Sequence, residues 1–171
     1  MAITAQTAVL DESRTHQTGA GTQLVGFQLG NEEYGVEITK VQEIILLGEI
    51  TRVPQSPDFV KGLINLRSTV IPVIDLRLRL GMSEQVPTDE TRIMVVHVHG
   101  KTLGLVVDAV SEVLRVTSDQ IVPPPSAVAH SGREPVSGLV QLDSRLLILL
   151  DVDRILDVGD TVAAEAALAA V

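Results

Sequence analysis

The sequence contains no cysteine and no tryptophan, and aromatic residues make up only 2% of its 171 residues. The missing cysteine excludes disulfide bonds, cysteine zinc sites and thiol nucleophiles. The three aromatic residues are Phe27, Tyr34 and Phe59. Because 45% of the chain is nevertheless hydrophobic, a folded domain with a core of valine, isoleucine and leucine is expected.

Basic charge is also scarce, with 13 lysines and arginines against 22 aspartates and glutamates and a net charge of −9. Such a chain lacks both the cations that neutralise phosphates and the aromatic faces on which bases stack, which argues against nucleic-acid binding. The longest apolar run, Ala166–Val171, is far shorter than the roughly 20 residues of a membrane span. No basic segment followed by an apolar stretch opens the chain, so no secretory signal is predicted. These absences predict a soluble, cytoplasmic protein.

Short runs of β-branched residues separated by turn signals begin at Leu24 and predict a mainly β fold. Residues 1–22 are small and polar, which predicts a disordered N-terminal tail. Asp75 is placed to cap a short helix that Gly81 ends. Residues 158–171 are rich in alanine and predict a C-terminal helix or tail.

An internal repeat is the most informative feature of the chain. With an offset of 69 residues, 24–54 overlays 93–123, and with an offset of 76 residues, 60–80 overlays 136–156. The second overlay keeps seven identities in 21 positions, among them Gly62 with Gly138. Each half then carries about five short strands, which close into barrels or pack as sandwiches. Because halves of about 65 residues are marginal alone, the two should bury apolar surface against each other.

Residue types suited to catalysis or metal binding are present, but no complete site is evident. Asp75 and Asp151 occupy matching repeat positions and could form a carboxylate pair in a hydrolase, yet each precedes a helical pattern and fits better as an N-cap. His97 and His99 lie two apart on a predicted strand and so share a face, but no third metal ligand is nearby. No nucleophile motif or phosphate-binding loop occurs. The sequence therefore predicts no enzyme, cofactor or metal site.

Two charged residues stand among apolar neighbours. Glu43 lies within Val41–Ile45, and Arg67 follows Leu63–Leu66. Each charge is either exposed at the end of its strand or paired with an opposite charge. A paired arginine favours a bidentate contact with a carboxylate, and such a salt bridge would frame a binding surface.

Several of these segments resemble the CheW family. The resemblance is carried by Asn65–Arg67 with Ile71–Arg77, by Glu33–Ile38 with Val41–Ile44, and by Gly104–Leu114. It implies a CheW-like domain over 23–157 made of two packed five-stranded SH3-like β-barrels related by duplication, roughly 23–85 and 91–157. It also implies a cytoplasmic adaptor, without enzymatic activity or cofactor. Such adaptors couple the cytoplasmic tips of chemoreceptors to the regulatory domain of the histidine kinase CheA in bacterial chemosensory arrays.

The resemblance further implies which residues meet these partners. The receptor- and kinase-facing residues would be Ile38, Val41, Glu43, Ile44, Gly62, Arg67, Thr91 and Val113. The family commonly has glycine after the signature arginine, where this chain has Ser68. If that turn needs a positive φ, a serine there costs roughly 1 kcal/mol. The free protein is expected to be a monomer that is recruited to membrane-associated arrays.

Three alternatives stay open at this point. Within the adaptor class, the chain could serve a non-flagellar pathway that controls pili or biofilms, and the sequence does not choose between pathways. A small-barrel nucleic-acid-binding protein is opposed by the acidic charge. A hydrolase is opposed by the helix-capping positions of the two aspartates.

Overall fold

A computed structural model of the chain describes residues 21–126 and 135–155. The predicted tail of 1–22, apart from its last two residues, lies outside the described residues, and so does the predicted C-terminal helix or tail of 158–171. The described part is mainly β, as predicted, with two very short helices.

The first half of the chain forms two hairpins with one strand between them. Its elements are β1 (Thr22–Leu29), β2 (Glu32–Glu37), a 3-10 turn (Ile38–Lys40), β3 (Val41–Leu46), β4 (Val60–Leu66), β5 (Thr69–Asp75) and the helix α1 (Leu76–Arg79). Asp75 caps α1, because its carboxylate accepts a hydrogen bond of 3.3 Å from the Leu78 amide. Gly81, with a φ of 84°, lies just beyond the end of the helix. The predicted cap is confirmed.

The second half repeats the order of the strands and the closing helix, but its 3-10 turn lies after its third strand and not before it. Its elements are β6 (Arg92–Val98), β7 (Lys101–Val107), β8 (Ala109–Val116), a 3-10 turn (Ser118–Gln120), β9 (Ile121–Val122), β10 (Val136–Leu142), β11 (Arg145–Leu150) and the helix α2 (Val152–Ile155). β9 pairs with β10, and its counterpart in the first half is a single bridge between Thr51 and Leu63. The predicted duplication is therefore confirmed in the order of the main strands and the closing helix, although the 3-10 turns lie at different places. Neither helix in the described residues is long and apolar enough to cross a bilayer.

The two halves exchange their first hairpins. β1 and β2 join a six-stranded sheet with the order β8-β1-β2-β11-β10-β9, and β6 and β7 join a five-stranded sheet with the order β3-β6-β7-β5-β4. In each sheet the exchanged hairpin pairs antiparallel on one side, as β1 does with β8 and β6 with β3. It pairs parallel on the other side, as β2 does with β11 and β7 with β5. The two sheets are therefore built on the same plan.

Each sheet thus combines strands of both repeats, whereas the resemblance implies one barrel over roughly 23–85 and the other over roughly 91–157. Among the described residues, the chain passes between the sheets at two short connections, the 3-10 turn at Ile38–Lys40 and the single residue Asp108. The boundary between repeats is therefore not the boundary between sheets. One sheet also has six strands rather than five, because β9 forms a strand where its counterpart at Thr51 makes one bridge.

Within the part of the chain that the structure describes, three apolar clusters stabilise this arrangement. The largest contains residues of both sheets, such as Val25 and Phe27 from β1 and Met94 and Leu105 from β6 and β7, so it lies between the sheets. Each smaller cluster is confined to one sheet, with Leu24, Val116, Val140, Leu147 and Leu149 in the six-stranded sheet and Ile64, Ile71, Val73, Ile93 and Val95 in the five-stranded sheet. Because each sheet curls around its own cluster and packs on the shared one, the fold is a packed pair of barrel-like sheets.

Candidate partner-binding surface

Glu43 and Arg67 form a bidentate ion pair on the five-stranded sheet. Nη1 and Nη2 of Arg67 donate hydrogen bonds of 2.6 and 2.5 Å to the two carboxylate oxygens of Glu43. The Arg67 side chain is 63% exposed, whereas that of Glu43 is only 11% exposed. Of the two interpretations of these charges, the structure shows the ion pair, with the arginine presented to solvent.

The β4–β5 turn determines where Arg67 points. Arg67 has a φ of 50° and Ser68 a φ of 69°, so two successive residues in the left-handed region close a tight hairpin. Because Glu43 lies on β3 and Arg67 follows β4, the ion pair connects the two edge strands of the sheet. The positive φ at Ser68 is the condition under which serine in place of glycine is costly.

The six-stranded sheet has a related ion pair. Arg145, at the start of β11, donates a hydrogen bond of 2.6 Å to Glu112 of β8 and lies 3.4 Å from Glu33. Glu112 is the repeat counterpart of Glu43, while the arginine stands two positions later in its hairpin than Arg67 does. Both sheets therefore carry an arginine–glutamate contact beside the hairpin turn.

Gly62 lies on β4 where a second backbone segment approaches it closely. Its φ is 147°, and a Cβ at this position would lie 2.1 Å from the carbonyl oxygen of Thr51. Thr51 and Leu63 exchange two backbone hydrogen bonds of 2.8 Å here. Only glycine fits, so Gly62 keeps the segment after β3 paired with the edge of β4. It shapes the predicted surface without presenting a side chain to it.

A cavity of about 240 Å³ opens beside this region, where the five-stranded sheet meets Asp108. Its lining is partly apolar, with Leu47, Ile50, Val86, Pro87 and Val106, and partly charged, with Lys61, Asp75, Arg77 and Asp108. The Lys61 ammonium lies 2.8 Å from Glu84 and 3.9 Å from Asp75, so its charge is compensated. Val86 stands at the cavity with 81% of its surface exposed. Apolar walls with paired charges suit the aliphatic side chains of a protein partner.

Several of the predicted contact residues are buried. Val41 and Ile44 are 6% and 3% exposed and pack in the cluster between the sheets, which Ile38 also contacts from the 3-10 turn. Thr91 is 7% exposed, and its hydroxyl accepts a hydrogen bond of 2.9 Å from the Thr88 amide. Val41, Ile44 and Thr91 therefore support the surface from below. Their side chains are not accessible to a partner in this structure.

The predicted residues also do not form one continuous site. Glu43 and Arg67 meet at one end of the five-stranded sheet, and Gly62 and Thr91 lie by the cavity. Val113 belongs to β8 of the six-stranded sheet, where it pairs with β1. Residues that the resemblance assigns to one receptor- and kinase-facing surface are thus distributed over two sheets, because β3 and β4 belong to one sheet and β8 to the other.

The candidate catalytic and metal-binding residues have structural roles. Asp151 accepts a hydrogen bond of 2.9 Å from the Asp153 amide at the start of α2, which repeats the capping by Asp75. His99 does not share a strand with His97, since β6 ends at Val98 and His99 has a φ of 51° in the following turn. The prediction that both histidines share a strand face is therefore wrong. Within 21–126 and 135–155, no group of three or more His, Asp or Glu residues could hold a metal ion.

The pair of Arg77 and Asp108 is one of several ion pairs that were not predicted from the sequence. Arg77 of α1 donates hydrogen bonds of 2.9 and 2.7 Å from Nε and Nη2 to Asp108. Asp108 also accepts a hydrogen bond of 2.7 Å from the amide of Gly30 in the β1–β2 turn. The Arg77 hydrogen bonds lower the pKa of the Asp108 carboxyl, partial burial opposes them, and the Gly30 amide adds to the lowering. Nothing in the local sequence signals the pair, because its members are 31 residues apart.

Comparison with known proteins decides between the possible classes. The family model described as the CheW-like domain matches residues 23–159, which is most of the chain. The chain belongs to the CheW-like family. The chemotaxis protein CheW of Klebsiella aerogenes is 40% identical over 136 residues, which are 80% of this chain and 82% of the relative. The chemotaxis protein CheW of Bacillus subtilis is 34% identical over 143 residues, which are 84% of this chain and 92% of the relative.

A solved structure agrees with the same assignment. The crystal structure of the scaffolding protein TtCheW from Thermoanaerobacter tengcongensis matches with a TM-score of 0.74 and 35% identity, covering 82% of this chain and 95% of that one. The predicted fold class is confirmed by this CheW structure. The CheW-like chain is a coupling and scaffold protein of chemotaxis and not an enzyme, as its family membership shows. The comparisons give no support to the nucleic-acid-binding or hydrolase alternatives.

Proposed function

We propose that this chain couples the cytoplasmic tips of chemoreceptors to the regulatory domain of the histidine kinase CheA. The observation that carries the proposal is the presence of two different surfaces on one five-stranded sheet, the cavity beside Val86 and the hairpin end with the Glu43–Arg67 pair. An adaptor needs two such surfaces to hold two partners at once. The chain acts in the cytoplasm, is a monomer when free, and is recruited to membrane-associated receptor arrays.

The cavity suits the receptor. Receptor tips of this class are helical hairpins, and a helix presents aliphatic anchors at a spacing of three or four residues. Leu47, Ile50 and Val106 offer apolar contact to such anchors, and Val86 adds exposed apolar surface at the opening. Because Lys61 is already compensated by carboxylates, a mainly apolar helix can dock there without leaving an unpaired charge.

The hairpin end suits the kinase. Arg67 is largely exposed, and Val70 in the next strand is 41% exposed, so a polar and an apolar group stand close together in the chain. The regulatory domain of CheA is itself CheW-like, so a matching barrel would meet this end of the sheet. Interfaces of this transient kind depend on a few anchors, with arginine frequent among them.

Two substitutions that serve as controls for each other separate the surfaces. Val86→Asp places a charge at the cavity, and Val70→Asp places the same charge at the hairpin end. Binding is measured separately, by co-sedimentation with a receptor cytoplasmic fragment and with CheA. We expect Val86→Asp to weaken only receptor binding and Val70→Asp to weaken only CheA binding. Loss of both partners in each variant, or of neither, would contradict the assignment of the two surfaces.

Arg67→Ala tests the ion pair directly. The change removes an exposed side chain, so it should alter stability by no more than about 1 kcal/mol while weakening array assembly and kinase activation. Arg52→Ala is the matched control, because Arg52 is also exposed but belongs to the loop before β4. The readout is CheA activity reconstituted with receptor fragments. If Arg67→Ala and Arg52→Ala activate CheA to the same level, Arg67 has no role in the mechanism.

A further inference from the structure

The connection at Asp108 is bound to both sheets. Its carboxylate accepts two hydrogen bonds from Arg77, whose helix follows β5 of the five-stranded sheet. It also accepts a hydrogen bond from the Gly30 amide, and the Asp108 amide donates one of 3.0 Å to the Gln28 carbonyl. Gln28 and Gly30 belong to the β1–β2 hairpin of the six-stranded sheet. We name this set of contacts the Asp108 latch.

The other connection, at Ile38–Lys40, has the repeat counterpart of these contacts. The Lys40 ammonium lies 2.9 Å from Asp153 of α2, the helix that follows β11 of the six-stranded sheet. His99, in the β6–β7 turn of the five-stranded sheet, places Nε2 3.1 Å from the Asp153 carbonyl oxygen. Gly30 and His99 are related by the offset of 69, and Arg77 and Asp153 by the offset of 76. This Lys40 latch therefore follows a similar plan with the charges reversed, although Lys40 stands one position after the repeat counterpart of Asp108.

The two latches differ in strength. Arg77 and Asp108 are 13% and 25% exposed and are joined by two hydrogen bonds, whereas Lys40 and Asp153 are each 39% exposed and joined by one. A bidentate and partly buried pair is stronger than a single exposed one, which water and salt screen. Cavities of about 310 and 240 Å³ lie beside Lys40 and beside Asp108, so the difference between the latches rests on the hydrogen bonds and the exposure of the two pairs.

We infer that the Asp108 latch holds the two sheets rigidly together and that the connection at Lys40 is the more flexible of the two. Relative motion of the sheets then opens on the Lys40 side, within the limits set by the apolar cluster that they share. The inference itself concerns the free chain.

The absence of cysteine makes the motion measurable, because introduced cysteines are the only ones that a spin label can modify. Val70→Cys and Leu146→Cys place labels at repeat-related positions of the two sheets, where the native side chains are 41% and 50% exposed. Pulsed electron spin resonance then gives the distribution of distances between the sheets. We expect a broadened or shifted distribution when Asp108→Ala or Arg77→Lys is added. The matched Lys40→Ala variant should leave the distribution close to that of the parent.

Circular dichroism establishes that each labelled variant is folded before its distances are compared. If Asp108→Ala does not fold, Arg77→Lys decides the question, since it keeps the charge and removes the two-point contact. An unchanged distribution in folded Arg77→Lys overturns the inference. The inference is also overturned if Lys40→Ala broadens the distance distribution as much as the Asp108 latch variants do. No partner is present in this experiment, so its failure is distinguishable from failure of the adaptor proposal.

Discussion

Replacing Gly62 with alanine should destabilise the protein severely, because two penalties coincide at this position. The φ of 147° lies in a region that side chains disfavour, at a cost of about 1–3 kcal/mol. The new Cβ would also lie 2.1 Å from the Thr51 carbonyl oxygen. Relieving that contact means separating Thr51 from Leu63 and losing two backbone hydrogen bonds, worth about 1 kcal/mol each. Together these effects amount to about 3–5 kcal/mol, a large part of the 5–15 kcal/mol typical of a domain.

Gly138→Ala is the matched control. Gly138 is the repeat counterpart of Gly62, but its φ is not in the positive region and its nearest contact is the Val122 carbonyl oxygen at 3.0 Å. A methyl group there requires the Val122 carbonyl to shift by only a few tenths of an ångström, so Gly138→Ala should lower the free energy of unfolding much less than Gly62→Ala does.

Urea unfolding followed by far-ultraviolet circular dichroism measures both variants, since the chain has no tryptophan to report by fluorescence. A loss of 3–5 kcal/mol in Gly62→Ala corresponds to a melting temperature lower by about 10 °C in a chain of this size. Equal free energies of unfolding for Gly62→Ala and Gly138→Ala would refute the argument from backbone geometry.

Two further predictions concern the turn at Ser68 and the Asp108 latch. Ser68→Gly should raise the free energy of unfolding by about 0.5–1 kcal/mol, because Ser68 has a φ of 69°. Ser144 has no positive φ, so Ser144→Gly should lower the free energy of unfolding. Stabilisation by both changes in urea unfolding would contradict this prediction. The pKa of Asp108 is lowered in the folded state, so its stabilisation is complete above the unfolded pKa of about 3.9 and is lost as pH falls through the folded value. The difference in free energy of unfolding between the parent and Asp108→Asn should therefore shrink below about pH 4. Urea unfolding measured at a series of acidic pH values tests this, and a difference that does not change with pH would exclude a contribution from the Asp108 carboxylate.

The caps and the β4–β5 hairpin could be predicted because their signals are local. Asp75 precedes the helix it caps, and Arg67 with Ser68 separates two apolar runs. The pairing of Glu43 with Arg67 was one of two open interpretations, since charge and neighbours alone do not give the distance between residues 24 positions apart. The prediction for His99 failed because the alternation of apolar and polar residues continues through Val98 and His99 in the sequence. In the structure β6 ends at Val98, and His99 already lies in the turn.

The candidate surface was only partly predictable. Resemblance indicated eight positions, but burial depends on how the sheets pack, and Val41, Ile44 and Thr91 prove to be covered. The Asp108 latch and the cavity gave no sequence signal, because they arise where segments from both repeats meet. Their members belong to different hairpins and acquire a common location only in the folded chain.

The sequence by itself determined the mainly β composition, the strand and turn positions, the duplication and the family. These follow from local propensity, from periodicity and from motifs that need no partner elsewhere in the chain. Tertiary structure alone decided that the halves exchange their first hairpins. The physical reason is that both repeats carry the same alternation of apolar and polar residues, so each hairpin presents a suitable edge and face to either half. Only the packing of the whole chain, with its shared cluster and its two short connections, selects the exchanged arrangement.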